Sequence, residues 1–218
     1  MFHQGSIQLT DEPVIATGLQ RILSHDPVFK TGDITLEAMN WPRLQSGFPG
    51  MLAIILGQQI SFAVAGQLWQ RLNDELNGFI APESFIELPD SVRRRCGFSR
   101  QKDSYACNLA RDIMQGRINL RELDHLGDDD AMQMLTGIKG LGEWSARLYL
   151  IFALARPDIW PGQDLGIQIG VKHYYDMAER PGYRATYAAG QLFKPYCTAG
   201  ALLMWELKRR REAKVYSG

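Results

Sequence analysis

Residues 135–165 read LTGIKGLGEWSARLYLIFALARPDIWPGQDL, and the order of residue types in this stretch decides the fold. Gly140 and Gly142 can take a positive φ and let the backbone approach another surface closely, so GIKGLGEW reads as a tight turn between two helices. The following GEWSARLYLIFALA is apolar on nearly every side, which predicts a helix buried at the centre of a core. The proline-rich RPDIWPGQD then breaks the helical pattern. Asp164, followed by LGIQ, reads as the N-cap of a further helix running through Tyr175. A cap residue sits in a loop, so the same carboxylate is also available to a cleft.

Outward from this stretch the helical signals continue. Between Gln59 and Asn77, Ile60, Val64, Leu68, Leu72 and Leu76 fall in a stripe beside Ala63, predicting one helix that Gly78 ends. Ser99 caps a second helix in which Tyr105, Leu109 and Ile113 form the apolar face, while Lys102, Asp103, Arg111 and Asp112 point elsewhere. TAGALLMWELKRRREAK begins small and apolar and ends basic, as a final helix with cations at its C-terminus does. No evenly spaced β-branched segments and no Asn-Gly hairpin are present. The expectation is an all-α protein of roughly eight to eleven helices. They form one compact domain, 1–218, with two helical lobes around a cleft and the helix-turn-helix at about 131–155.

Composition narrows the function. The 218 residues are 45% hydrophobic and 22% charged, ordinary for a globular protein able to bury a sizeable core. No run of eighteen apolar residues and no basic-then-apolar leader is visible. Cys96, Cys107 and Cys197 are too far apart for a zinc or iron–sulfur spacing and read as reduced thiols. Net charge is zero, with the positive charge clustered at Arg93–Arg95 and at Lys208–Arg211. Each run reads either as a solvated helix face or as a phosphate contact.

Physically, the glycine hairpin can grip a nucleic-acid backbone through the N–H groups that open the next helix, without reading sequence. Hairpin, buried helix, proline loop and acid in this order resemble the helix-hairpin-helix–Gly/Pro…Asp superfamily of DNA glycosylases. Within it the chain is similar to the alkylpurine branch, the DNA-3-methyladenine glycosylase II family. MLAIILGQQISFAVAGQLWQRL, GFSRQKDSYACNLARDI, DIWPGQDLGIQ and KPYCTAGALLMW resemble further family segments, so the match covers most of the chain.

The resemblance implies a role for each matched position. Asp164 falls on the catalytic aspartate. Trp144 stands where lyase members carry the lysine that forms a Schiff base, which implies a monofunctional enzyme with water as the nucleophile. Trp205 matches a base-pocket tryptophan. Gln59 falls where a side chain fills the gap left by the extruded base, with Gln58 beside it as a second DNA contact. Lys139, Gly140 and Gly142 form the DNA grip. Trp41 and Trp69 have no such support and are assigned to packing. The implied partner is duplex DNA with damaged bases, bound by a monomer in the bacterial cytoplasm or a eukaryotic nucleus, with no membrane. No cofactor is needed for the chemistry, and a monovalent cation is implied at the hairpin backbone. The extra N-terminal β-containing domain of longer members is expected to be missing.

The sequence also departs from the family. Gln163 replaces the first acid of PxDD, Cys197 stands where PWRS has its arginine, and Lys139 replaces a hairpin proline. Three other readings stay open: a glycosylase for another lesion, a DNA-binding module using the hairpin alone, and a helical interaction scaffold.

Overall fold

The computed structural model describes residues 8–29 and 34–216, with side chains through residue 213. The opening residues 1–7, where a leader would begin, lie outside the described residues. In chain order the α-helices are α1 Pro13–His25, α2 Phe48–Gly57, α3 Phe62–Glu75, α4 Pro82–Glu87, α5 Asp90–Arg95 and α6 Arg100–Met114. They continue with α7 Asp128–Thr136, α8 Glu143–Phe152, α9 Leu165–Tyr174, α10 Tyr183–Gly190 and α11 Cys197–Tyr216. Among the described residues no β-sheet occurs. The chain divides into two helical units, one spanning Pro42–Leu154 and the other made of the flanking stretches up to Trp41 and from Ala155.

In the first unit the core follows from apolar content. Helix α2 buries every residue from Met51 to Leu56, and α8 buries Leu148 to Phe152, as its all-round apolar sequence predicts. The Tyr149 hydroxyl accepts the N–H of Gly47 at 2.8 Å, and burial pushes its phenol up to about 12. Phe85 is fully buried, with Phe48 and Phe98 packed edge-on at 6.0 and 5.1 Å between ring centroids.

The helix foreseen from Gln59 begins at Phe62, capped by the Ser61 hydroxyl, which accepts the Val64 N–H at 3.3 Å. Gln59 has a φ of 59°, which a helix cannot continue through. Leu72 and Leu76 of the expected stripe are buried, together with Ala65, while Val64 is exposed. Lys102 and Asp103, expected to point away, hold the unit together. The Lys102 ammonium donates to the Leu56 carbonyl at the end of α2, at 2.7 Å, and burial lowers its pKa below the ordinary value. Asp103 accepts from Arg93, which is buried, also donates to the Leu88 carbonyl and lies over the Phe85 ring. Arg93 is thus committed inside the protein and is neither a solvated charge nor a phosphate contact. Arg94 pairs with Asp90 on the surface.

In the second unit α11 is the spine. Gly18 brings α1 close to it, because a Cβ there would lie 2.9 Å from Tyr196 and 3.0 Å from Ala199. The basic run of α11 is partly neutralised. Glu206, only 2% exposed, accepts from Arg209 at 2.6 and 2.9 Å and from Arg210 at 2.6 Å. Burial opposes the charge on Glu206, but the two guanidinium groups outweigh it and hold the carboxyl below its ordinary value. Lys208 pairs with Glu212.

This arrangement has a defined pH signature. A depressed folded pKa contributes stability that is complete above the unfolded carboxylate value, about 4.3, and lost as pH falls through the folded value. Glu206→Gln is expected to cost roughly 1–3 kcal/mol at neutral pH and to flatten the acid limb of stability. Thermal unfolding of both proteins between neutral and acidic pH checks this, and parallel acid limbs would contradict it.

Candidate active site and hairpin

The chemistry-bearing carboxylate lies where the loop after Pro161 becomes α9. Asp164 is the N-cap of that helix, with its Oδ1 accepting the Ile167 N–H at 3.0 Å. The same Oδ1 accepts the indole N–H of Trp205 at 2.8 Å, a hydrogen bond strengthened by the acceptor's charge. Trp205 is 4% exposed and tilts against Trp41 with 5.7 Å between centroids. Its indole N–H orients Asp164.

Two glycines that sequence reasoning passed over make this contact sterically accessible. A Cβ on Gly166 would sit 2.7 Å from Trp205 Cδ1 and 2.9 Å from Asp164 Oδ1. One on Gly170, on the same helix face, would sit 2.6 Å from the Met204 Cβ and strike the Met204 carbonyl. Their spacing, G-x-x-x-G within LGIQIGV, was the available signal. It lets α9 and α11 approach closely enough for the indole to reach the carboxylate.

The loop before Asp164 is held from inside the protein. The Thr198 hydroxyl donates to the Arg156 carbonyl at 2.5 Å and accepts the Ile159 N–H at 3.3 Å, while its own N–H donates to the Pro157 carbonyl at 2.9 Å. The Cys197 N–H donates to Asp158 Oδ1 at 3.3 Å. Trp160 is buried, stacks on Phe193 and donates to the Thr186 carbonyl at 2.9 Å. Cys197 itself is buried, and burial together with Asp158 pushes its thiol up to about 12. The segment that departs from the family's PWRS therefore braces the loop from within. All three cysteines are buried and free.

In the first unit, α7, a glycine turn and α8 form the hairpin. Gly140 has a φ of 95°, and a Cβ there would strike the Tyr105 ring. Gly142, as the N-cap of α8, has φ −91° and ψ 177°, ordinary extended backbone, so only Gly140 of the two uses the positive φ open to both. Among the described residues no atom lies within 4 Å of a Cβ placed on Gly142. Helix α8 has no side-chain cap, unlike α6 and α9, so the N–H groups of its first turn are not covered by a capping side chain. Lys139 is exposed and Trp144 half-buried on that turn. Gln58 points inward, its amide donating to the Gly140 carbonyl and to Ser145 Oγ, both at 3.0 Å. Gln59 beside it is exposed. The structure thus joins Gln58 to the hairpin in one unit and Asp164 to Trp205 in the other. Among the described residues no cluster of three or more His, Cys, Asp or Glu could hold a metal ion. No helix among them is long and apolar enough to cross a membrane.

An all-α fold carrying a glycine hairpin and a capped aspartate defines a class, and comparison with known proteins gives it a family. Residues 52–195 match the model of the HhH-GPD superfamily base excision DNA repair proteins, and the chain belongs to that superfamily. Over 162 residues it is 26% identical to DNA-3-methyladenine glycosylase 1 of Schizosaccharomyces pombe, covering 73% of this chain and 71% of that one. Its fold is similar to that of the S. pombe 3-methyladenine DNA glycosylase solved with abasic DNA (TM-score 0.78, 24% identity, 87% and 95% of the two chains covered). It is also similar to the 3-methyladenine DNA-glycosylase of Archaeoglobus fulgidus (TM-score 0.75, 25% identity, 88% and 69% covered).

The three glycines should separate by stability. Gly140→Ala combines a left-handed φ with a ring clash and is expected to cost more than about 1 kcal/mol. Gly166→Ala, which must push Trp205 off Asp164, should cost about 1–3 kcal/mol. Gly142→Ala should change stability by less than about 0.5 kcal/mol. Denaturant unfolding measures all three, and an equal loss at Gly142 would contradict the geometry.

Proposed function

We propose that this protein is a monofunctional DNA glycosylase that rotates an alkylated purine out of duplex DNA and hydrolyses its N-glycosidic bond. The observation that supports this most is the anchored Asp164 carboxylate, held by Trp205 and the start of α9 in a chain of a base excision repair superfamily. The sequence relative named DNA-3-methyladenine glycosylase 1 supports the choice of alkylpurine substrates.

The chemistry follows from the leaving group. A 3- or 7-alkylated purine is cationic, so breaking the C1′–N bond sends the electron pair to a base that leaves neutral, and no strong general acid is required. Positive charge then develops on the sugar. Asp164 stabilises it and orients water, whose oxygen forms the new C1′–O bond and whose proton passes to the carboxylate and then to solvent. Damaged bases cost less to unpair, which favours their extrusion. Trp144 would offer a π-face to such a cation, worth about 0.5–2 kcal/mol. Tryptophan at this position also leaves it without an amine nucleophile.

The hairpin serves as the grip. Gly142 allows an outside surface to approach, Lys139 adds a charge, and the α8 N-terminus favours a phosphate. A monovalent cation, where bound, would be held by hairpin carbonyls and would add positive charge beside a phosphate. The Gly140 carbonyl accepts one bond from Gln58, leaving a lone pair for such an ion. Such a protein works where the DNA is, the cytoplasm of a bacterium or the nucleus of a eukaryote.

Incubation with methylated duplex DNA should release 3-methyladenine and 7-methylguanine while leaving the abasic strand uncut and giving no adduct on borohydride reduction. A trapped covalent adduct, or no release of any alkylated purine, would contradict the proposal.

A further inference from the structure

Gln58 links two chain segments of the first unit, the turn after α2 and the hairpin. Gln59 follows the C-terminus of α2 in a left-handed conformation, φ 59°, that a non-glycine residue adopts only when its surroundings impose it. Its side chain is exposed. The surroundings are well defined within this unit. Lys102 fixes the Leu56 carbonyl just before the turn at 2.7 Å, and Ser61 caps α3 just after it. Between them the Gln58 amide reaches across to the Gly140 carbonyl and to the buried Ser145 hydroxyl, both at 3.0 Å. Gly140 is in turn wedged against Tyr105 of α6. Gln58 is therefore the tie between the turn that carries Gln59 and the hairpin proposed to grip DNA.

We propose that Gln58 is a positioning residue for base extrusion: it makes no DNA contact itself but holds the Gln59 turn in register with the hairpin. This rests on the reading of Gln59 as the side chain that fills the gap in the duplex. Flipping a base and plugging the gap requires the plug to arrive at a fixed distance from the gripped phosphates. A misplacement of about 1 Å can cost on the order of a hundredfold in rate. A left-handed Gln59 would relax toward ordinary backbone if the tie were cut, moving the plug without unfolding the unit.

The test compares Gln58→Ala, Gln59→Ala and the double variant in single-turnover base release from a methylated duplex. It also follows 2-aminopurine fluorescence beside the lesion as a readout of extrusion, and affinity for undamaged duplex. Gln58→Ala is expected to slow release and lower the extrusion signal by about tenfold or more, with affinity for undamaged duplex within about twofold. The double variant should be no slower than Gln59→Ala, since the tie acts through the plug. Gln58→Glu, isosteric but presenting an acceptor to the Gly140 carbonyl, should be at least as slow, and reads the tie if the alanine variant folds poorly. If Gln59→Ala slows release while Gln58→Ala and Gln58→Glu match wild type, the positioning role is overturned and the plug reading stands. If Gln59→Ala has no effect, both are overturned. Equal weakening of undamaged-duplex binding and of release would reduce Gln58 to a structural prop and overturn the proposal as well.

Discussion

The hydrogen bond from the Trp205 indole to Asp164 Oδ1 is the contact on which the second unit is organised. It joins a side chain deep in α11 to the residue that opens α9, and it forms only because Gly166 and Gly170 have no Cβ to keep the two helices apart. The same Oδ1 is committed to the first turn of α9 through Ile167. A carboxylate held from two directions loses little freedom when a reaction needs it at one point, which is the general advantage of a prearranged charge. The loop before it is braced by Thr198, Asp158 and Trp160, so the position of Asp164 is set by packing and hydrogen bonds well beyond its own helix.

The first unit uses a different device. Its hairpin is set by Gly140 lying against Tyr105, and its neighbouring turn by Lys102 and Gln58, each supplying a donor to a main-chain carbonyl. Polar side chains that would be costly to bury without partners serve as cross-links between helix ends. Arg93 follows the same logic, joined to Asp103 and the Leu88 carbonyl in an otherwise apolar setting. The positive charge available to DNA in this unit is accordingly smaller than a count of its arginines suggests.

What the sequence reveals and what it hides divide along physical lines. The all-α class, the buried α8, the basic-tailed α11 and the caps at Ser99 and Asp164 were legible because local periodicity and capping chemistry specify them. The start of α3 was misplaced because Ile60 continues the apolar spacing, while a left-handed turn at Gln59, invisible to periodicity, resets the helix. Both hairpin glycines permit a positive φ, and which of them uses it, Gly140, is set by the packing of the turn against Tyr105. Lys102, Gln58 and Thr198 were unreadable in their actual roles because each bonds residues distant in the chain, and Arg93 because it bonds across the break between α5 and α6, which helical spacing does not specify. Trp205 was foreseen as a wall for the base; its indole N–H on Asp164 required coordinates to see.

The central claim is that Asp164 carries the chemistry and Trp205 holds it in place. Single-turnover release of 3-methyladenine by Asp164→Asn and Trp205→Phe, beside wild type and at saturating enzyme, tests it most directly. Asp164→Asn should fold normally, bind abasic duplex and lose about a hundredfold or more in rate. Trp205→Phe, which keeps an aromatic ring but removes the donor, should fall between the two. An Asp164→Asn protein releasing base at the wild-type rate would contradict the account.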